Sequence, residues 1–425
     1  MKHLRNLTNK VDVQINSNRL LSDIHKYAQY GKNLQGGVTR PSFSIADQDV
    51  RTLFIQELES IGLEVNIDGA ANIWGIKKGN QKKKGSIVIG SHLDSVPNGG
   101  EYDGPLGVLM AKEIIQTLID HNITLNHDVE IVSFTAEETN DFNLSTFGSR
   151  SFVGSLTADK LQNIYDTKGN SLHSELKKVG GNLNQFAKME EMRRSKKVFI
   201  ELHIEQGKRL ERNNMAVAVI DKVVGTYRSK VKVIGESNHS GTTMMEDRKD
   251  ALTATAEMIL SIERYCNNID NGVVGTVGTL NVFPNTANII PGIVNFIFEI
   301  RGSSEEQIEK AIKTIQEIWQ SIAKKRKVNV YQEVFLNQKP VVLDYDLVKI
   351  LQKTAQEMSE PYMTFSSMAV HDAAHMSAIA KSVMIFVKSI DGKSHCPEEY
   401  SHADDIEKAG NLMLQSILKI DQELV

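Results

Sequence analysis

The sequence predicts an α/β protein with a mostly parallel sheet, interrupted by a smaller domain of order βαββαβ. Three observations predict it. Short apolar runs at Ser86–Gly90, Val129–Phe134 and Val198–Leu202 alternate with stretches of helical spacing, the pattern of buried parallel strands with covering helices. Between Val223 and Pro340 the texture changes to strand, helix, two strands, helix, strand, the order of a split βαβ, ferredoxin-like unit. And 425 residues are more than one ordinary core holds, so at least two domains are expected.

Taken in order, Leu20–Tyr30 reads as a helix. Ser44-Ile45-Ala46-Asp47 reads as the capped start of another that ends near Gly62. Short β-rich pieces between Leu63 and Ile76 precede a lysine-rich turn at Gln81–Gly85. The strand Ser86–Gly90, a helix at Val108–Leu118 and the strands Val129–Phe134 and Val198–Leu202 follow. In the second texture the elements are a strand at Lys230–Gly235, a helix at Lys249–Tyr265, strands at Gly275–Val282 and Val294–Arg301, a helix at Glu305–Lys324 and a strand at Val328–Val334. A helix (Tyr345–Met358), a strand (Val383–Val387) and a last helix (Asp405–Leu418) restore the first pattern. The expected division is therefore 1–222 with 339–425, and an inserted domain at 223–338.

Composition narrows the function. With 40% hydrophobic and 24% charged residues the chain is of soluble globular type. Its net charge of -4 supplies no electrostatic argument for nucleic acid or an anionic membrane. The opening MKHLRNLTNK lacks a signal-peptide core, and no apolar run is long enough to span a bilayer. Cys266 and Cys396 are the only cysteines and lie far apart. That excludes a disulfide framework and makes a reducing cytoplasm the expected compartment. Any metal must then be held by histidine and carboxylate.

Such groups cluster. GSHLDSVPNGGEYDGPLG, residues 90–107, sets His92, Asp94 and Asp103 in a glycine-rich loop directly after an apolar strand. Imidazole and carboxylate are zinc ligands, and a carboxylate has two oxygens with which to bridge two ions. Asp94 is placed to orient His92. A polar surface loop is the plain alternative. Glu137 and Glu138 follow the run IVSFTA, where a solvated pair is less expected than on a helix surface. Extended neighbours point to different sides, so one can bind metal while the other faces substrate. In ELHIEQG, His203 and Glu205 share a face if the strand continues, and either can serve as ligand. His395, before Cys396-Pro397, is a weak signal alone. His371 and His375, four apart on a predicted helix, could imitate a metal pair. HExxH and CxxC patterns are absent.

Together these segments resemble the M20 metallopeptidase superfamily, and within it the hydantoinase/carbamoylase-type amidase branch. That branch holds N-carbamoyl-L-amino-acid hydrolases, allantoate amidohydrolases and β-ureidopropionases. The likeness runs nearly end to end, through FTAEE, FGSRSF, ELHIEQG, NHSGTTM, NTANIIPG, FEIRG, HDAAHMS and SHCPEEY. It implies two divalent ions per subunit, zinc first, with manganese, cobalt or nickel also suited to the donors. Asp103 would bridge them, with His92 and His203 at one ion and Glu138 and His395 at the other. Glu137 would be the general acid/base and Asp94 would steer His92. His239 would stabilise the oxyanion, and Asn288 and Arg301 would grip a substrate carboxylate. Gln206 would touch the substrate from the catalytic side, and His371 would lie near it, while His375 is structural. The resemblance also implies that the inserted domain is a lid and a dimerisation surface, that the chain is a homodimer, and that the substrate is a small carboxylate. The expected reaction is hydrolysis of a linear amide or ureido C–N bond, with an M20-type peptidase or aminoacylase as the alternative. The chain departs from its relatives at Thr139–Phe142, Met244, Lys249 and Pro105. None of these is a proposed ligand, but the first bears on substrate choice.

Overall fold

The computed structural model describes residues 13–269 and 272–423; the N-terminal segment read above for a leader lies outside them. The chain forms two compact units. Of the described residues, one takes in those up to Asp221, Leu343–Phe365 and those from His371; the other comprises those within Lys222–Val342 and Ser366–Val370.

The larger of the two sheets has nine strands. Its strands are β1 (Glu64–Ile67), β2 (Ile73–Lys77), β3 (Ser86–His92), β4 (Asp128–Phe134), β5 (Lys196–Ile204), β6 (Val217–Val223), β11 (Val341–Val342), β12 (Tyr362–Ser367) and β13 (Lys381–Val387). Their order is β1-β2-β4-β3-β5-β13-β6-β11, with β12 beside β6. Only the centre is parallel: β3 pairs parallel with β4 and β5, and β13 with β5. The β1–β2, β2–β4, β13–β6 and β11–β6 pairs are antiparallel. The expectation of a mostly parallel sheet is thus corrected to a mixed one. The reason is local. Parallel neighbours need a crossover of a dozen or more residues, which helices such as Pro105–Asp120 supply between β3 and β4. A short turn joins β1 to β2, and a short turn can only reverse the chain.

The central strands read as continuous apolar runs because both their faces are covered. Every residue of β3 is buried. The helix Pro105–Asp120, buried nearly all round, fills one side with Leu106, Leu109, Met110, Ile114 and Leu118. Glu130 in β4 and Lys196 in β5 would be costly singly; their buried ion pair at 2.5 Å neutralises both. Ser44 caps the helix Ile45–Ser60 by accepting from the Asp47 N–H.

The second unit has four antiparallel strands: β7 (Gly225–Ile234), β8 (Val274–Phe283), β9 (Ile293–Gly302) and β10 (Asn329–Gln338), in the order β10-β7-β9-β8. In β9 burial strictly alternates, the mark of a sheet covered on one face. That face carries Val294, Phe296, Phe298 and Ile300, packed with Met258 and Ile262 of the helix Ala251–Asn267 and Ile315 and Trp319 of the helix Glu305–Arg326.

Candidate metal centre

β3, β4 and β5 end side by side, and the polar residues at or just after their ends meet there, as the carboxyl ends of parallel strands require. His92 is the last residue of β3, Glu137 and Glu138 follow β4, and His203 is next to last in β5. Two groups of donors form. His92, Asp103 and His203 place one ligand atom each within 4.8 Å of one another, and so do Asp103, Glu138 and His395. Asp103 belongs to both. Its Oδ1 lies 3.1 Å from His203 Nε2 and 3.8 Å from His92 Nε2, while its Oδ2 lies 3.2 Å from His395 Nε2. Glu138 Oε1 is 3.2 Å from the same His395 nitrogen.

Local backbone explains how a loop residue reaches a strand end. Gly104 follows Asp103 at φ +83°, and a Cβ there would sit 2.3 Å from the His92 ring, so glycine alone fits. Pro105 then opens the helix at its first position. Ala136, Gln206 and His395 all hold positive φ, conformations that persist where surrounding structure enforces them.

The donors suit cations. His92 Nδ1 faces the Asp94 carbonyl at 3.0 Å and His203 Nδ1 the Ile204 carbonyl at 3.0 Å. Each Nδ1 therefore carries the hydrogen, a tautomer assigned from its partner. Each Nε2 then turns a lone pair toward a carboxylate oxygen, which needs a positive charge between them. Buried carboxyls are also in excess here: Asp94, Asp103, Glu138, Glu201, Asp372 and Glu399. Protons on the imidazoles offset part of that excess. Burial would lower His92 and His203, yet Asp94 and Glu137 hold His92, and Asp103 holds His203, above the ordinary imidazole range. His395 is pushed up to about 11 by its bonds to Asp103 and Glu138. Burial would raise Asp103, but His203, His395 and His92 hold it well below the carboxylate range. A divalent ion in each group would replace those protons.

Asp94 is the hub of the site. It lies 3.5 Å from His92 Nδ1 and accepts from Ser42 Oγ at 2.8 Å and from the backbone N–H groups of Glu137 and Glu138 at 3.3 and 3.1 Å. One carboxylate thus fixes the His92 ring and both glutamates. Glu137 comes within 3.8 Å of His92 Nε2, and burial lifts its carboxyl well above the usual range against the pull of His92.

The other polar candidates near the site have partners of their own. Glu205, left open beside His203, accepts the N–H groups of Arg209 and Leu210 at 2.7 and 2.9 Å; it caps a helical turn and is in neither donor group. Gln206 donates to Asp103 Oδ2 at 2.7 Å and to Ser394 Oγ at 3.2 Å. His371 and His375 form no pair. The His371 ring packs on His203 with centroids 4.4 Å apart, and burial, then His203, keeps it neutral. His375 is likewise lowered to about 4 by burial.

In the second unit, His239 Nδ1 accepts the N–H groups of Gly241 and Thr242 at 3.0 and 3.2 Å. Its Nε2 must then carry the hydrogen. The Asn288 carbonyl accepts from Ser240 N–H at 3.0 Å, tying these two loops together. Arg248 holds the His239 turn through the Thr243 and Ser240 carbonyls. Arg301 donates from Nε to Glu299 at 2.7 Å and from Nη1 to the Met368 carbonyl at 3.1 Å.

Sequence reasoning missed Ser42, Ser394, Glu201 and Glu399. Ser394 donates to Asp103 Oδ2 at 2.8 Å. Glu201 accepts from Ser91 Oγ and Ala373 N–H, both at 2.8 Å. Glu399 accepts the N–H groups of Tyr102 and Asp103, and its carboxyl is raised to about 7 by burial and by Asp103. Only their closeness to the histidine motifs could have flagged them.

Shared carboxylate, buried imidazoles and a shielded glutamate together define a metal-dependent hydrolase. A model of peptidase family M20/M25/M40 matches residues 88–419, and the chain belongs to that family. The N-carbamoyl-L-amino acid amidohydrolase of Geobacillus stearothermophilus is 33% identical over 408 residues, covering 96% of this chain and 99% of that protein. The allantoate amidohydrolase of Bacillus subtilis is 32% identical over 390 residues, covering 92% and 94%. A crystal structure of a hydantoinase/carbamoylase family amidase from Burkholderia multivorans matches with a TM-score of 0.89 at 28% identity, covering 97% of this chain and all of that one.

Proposed function

We propose that this chain is a two-metal amidohydrolase that cleaves a linear ureido or amide C–N bond of a small carboxylate, an N-carbamoyl-L-amino acid or allantoate. The observation that carries the reading is Asp103, shared between two complete donor groups with Glu137 alongside. The names of full-length relatives support the substrate class.

When bound, two divalent ions supply the Lewis acidity that lowers the pKa of a water and polarises the scissile carbonyl; zinc is the first choice for these donors, with manganese, cobalt and nickel suited to them as well. Glu137, shielded from bulk water, accepts the proton of the attacking water and returns it to the leaving nitrogen. His239 presents Nε2–H, the polarity that meets a developing oxyanion, a contact typically worth about 3–4 kcal/mol. Asn288 and Arg301 receive the substrate carboxylate. The second unit serves as the lid and as the contact of a homodimer.

Metal analysis followed by turnover of N-carbamoyl-L-amino acids, allantoate, N-acyl amino acids and dipeptides tests the reading. Turnover confined to the first two classes is expected. Turnover confined to N-acyl amino acids or dipeptides would instead make the chain an aminoacylase or peptidase. In the same assay Arg301→Ala should raise KM about 10–100-fold, the worth of one charged hydrogen bond; an unchanged KM removes Arg301 from the carboxylate site.

A further inference from the structure

The two donor groups are supported unequally. His92 and His203 stand on β3 and β5 in the centre of the sheet, and both are buried. His395 lies in a loop beyond β13, with its side chain 49% exposed and φ at +58°. No strand or helix carries it.

Hydrogen bonds at several points hold that loop. Ile390 N–H bonds to the Tyr400 carbonyl and Ser401 Oγ to the Lys388 carbonyl; these close the loop on itself. Ser394 Oγ reaches Asp103 Oδ2. Asp391 N–H bonds to Glu211 at 3.0 Å, Lys208 pairs with Asp391 at 3.6 Å and Gln206 Nε2 donates to Ser394 Oγ at 3.2 Å, but the tie to the Asp103 backbone is Glu399, four residues past His395 and joined back to it by a turn in which Glu399 N–H bonds to the Cys396 carbonyl. Its carboxylate points inward and is 5% exposed. Oε1 accepts the N–H of Tyr102 at 2.9 Å and that of Asp103 at 3.0 Å. The loop bearing His395 is therefore fastened to the backbone of the bridging residue itself. Gly100 keeps the space open, since a Cβ there would lie 2.1 Å from Glu399 Oε1.

We infer that Glu399 is a positioning residue that sets the spacing between Asp103 and His395, and so controls the ion at Asp103, Glu138 and His395 selectively. The ion at His92, Asp103 and His203 depends on it far less, because two of its three ligands belong to the sheet. This inference rests on the two-metal reading above.

The test is stepwise zinc titration of the chelator-stripped chain by calorimetry, with elemental analysis of the reconstituted protein and thermal melts of each stripped variant. Wild type should take up two ions. Glu399→Ala should keep one at wild-type affinity and weaken the other about 10–100-fold, the usual effect of removing a group that orients a metal ligand. Glu399→Gln keeps an oxygen for both N–H groups and should still hold two. Gly100→Ala, which crowds the same carboxylate oxygen, should behave as Glu399→Ala, and it decides the matter if Glu399→Ala does not fold. Two ions at unchanged affinity in either alanine variant overturns the inference, and so does parallel weakening of both ions. Fewer than two ions in wild type overturns the two-metal reading, and this inference with it.

Discussion

Glu137 and Glu138 are adjacent and chemically identical, yet the fold assigns them different surroundings. Glu138 faces His395, while Glu137 lies beside His92 with its carboxyl raised by burial. Glu137→Gln should therefore leave zinc content unchanged and lower kcat about 10²–10⁴-fold, the range for a general acid/base. Retained turnover would remove it from that role. Asp372 offers a pH test. Its carboxyl is fully buried and raised from 3.8 to about 8, by burial first and then by Glu201. A folded-state pKa above the unfolded one means the folded chain holds a proton that the unfolded chain has released. That stability is complete below about pH 4 and is lost as pH rises toward 8. The stripped wild type should melt progressively lower across this window. Asp372→Asn carries no such proton, so its melting temperature should exceed wild type by a few degrees at pH 8, with the gap closing near pH 5. Parallel pH profiles for the two proteins would refute the assignment.

At the scale of elements, the site exists because three neighbouring strands stop at one level. The apolar runs and the polar residues ending them were legible in the sequence: β3 into His92, β4 into Glu137 and Glu138, β5 into His203. The turn that swings Asp103 back was legible only as a surplus of glycine. Its mechanism is Gly104, where positive φ and the His92 ring leave no room for a side chain. Gly104→Ala should destabilise the fold by about 1–3 kcal/mol from the backbone alone. It should also weaken zinc at the His92 group about 10–100-fold by displacing a ligand, both read by melting and titration. An alanine variant with wild-type titration would show that the loop has slack. Strand direction was less legible. β6, whose sequence VAVIDKV resembles any buried strand, pairs antiparallel with β13, and that pairing depends on a partner more than 160 residues on.

For the molecule as a whole, metal content and stability should be coupled. The buried carboxyls around Asp103 outnumber the imidazoles beside them, so ions that bind the folded chain and not the unfolded one raise stability by mass action. Chelation should abolish turnover and lower the melting temperature by several degrees, and zinc should restore both. An unchanged melting temperature after verified metal removal would show that the donor groups are neutralised some other way. Among the described residues no helix is long and apolar enough to cross a membrane. Sedimentation in solution is the direct check on the proposed homodimer.

By itself the sequence determined which chemistry was possible. With two cysteines and clustered histidine and carboxylate, only nitrogen and oxygen ligands were on offer, and runs such as SIVIGSH placed them at strand ends through local periodicity. Tertiary structure decided which candidates meet. Glu205 and His203 share a motif, but only His203 faces Asp103. Glu398 and Glu399 are neighbours, but only Glu399 turns inward to the Asp103 backbone. Such choices depend on contacts between residues up to about 300 positions apart, set by sheet order and loop closure rather than by any local pattern.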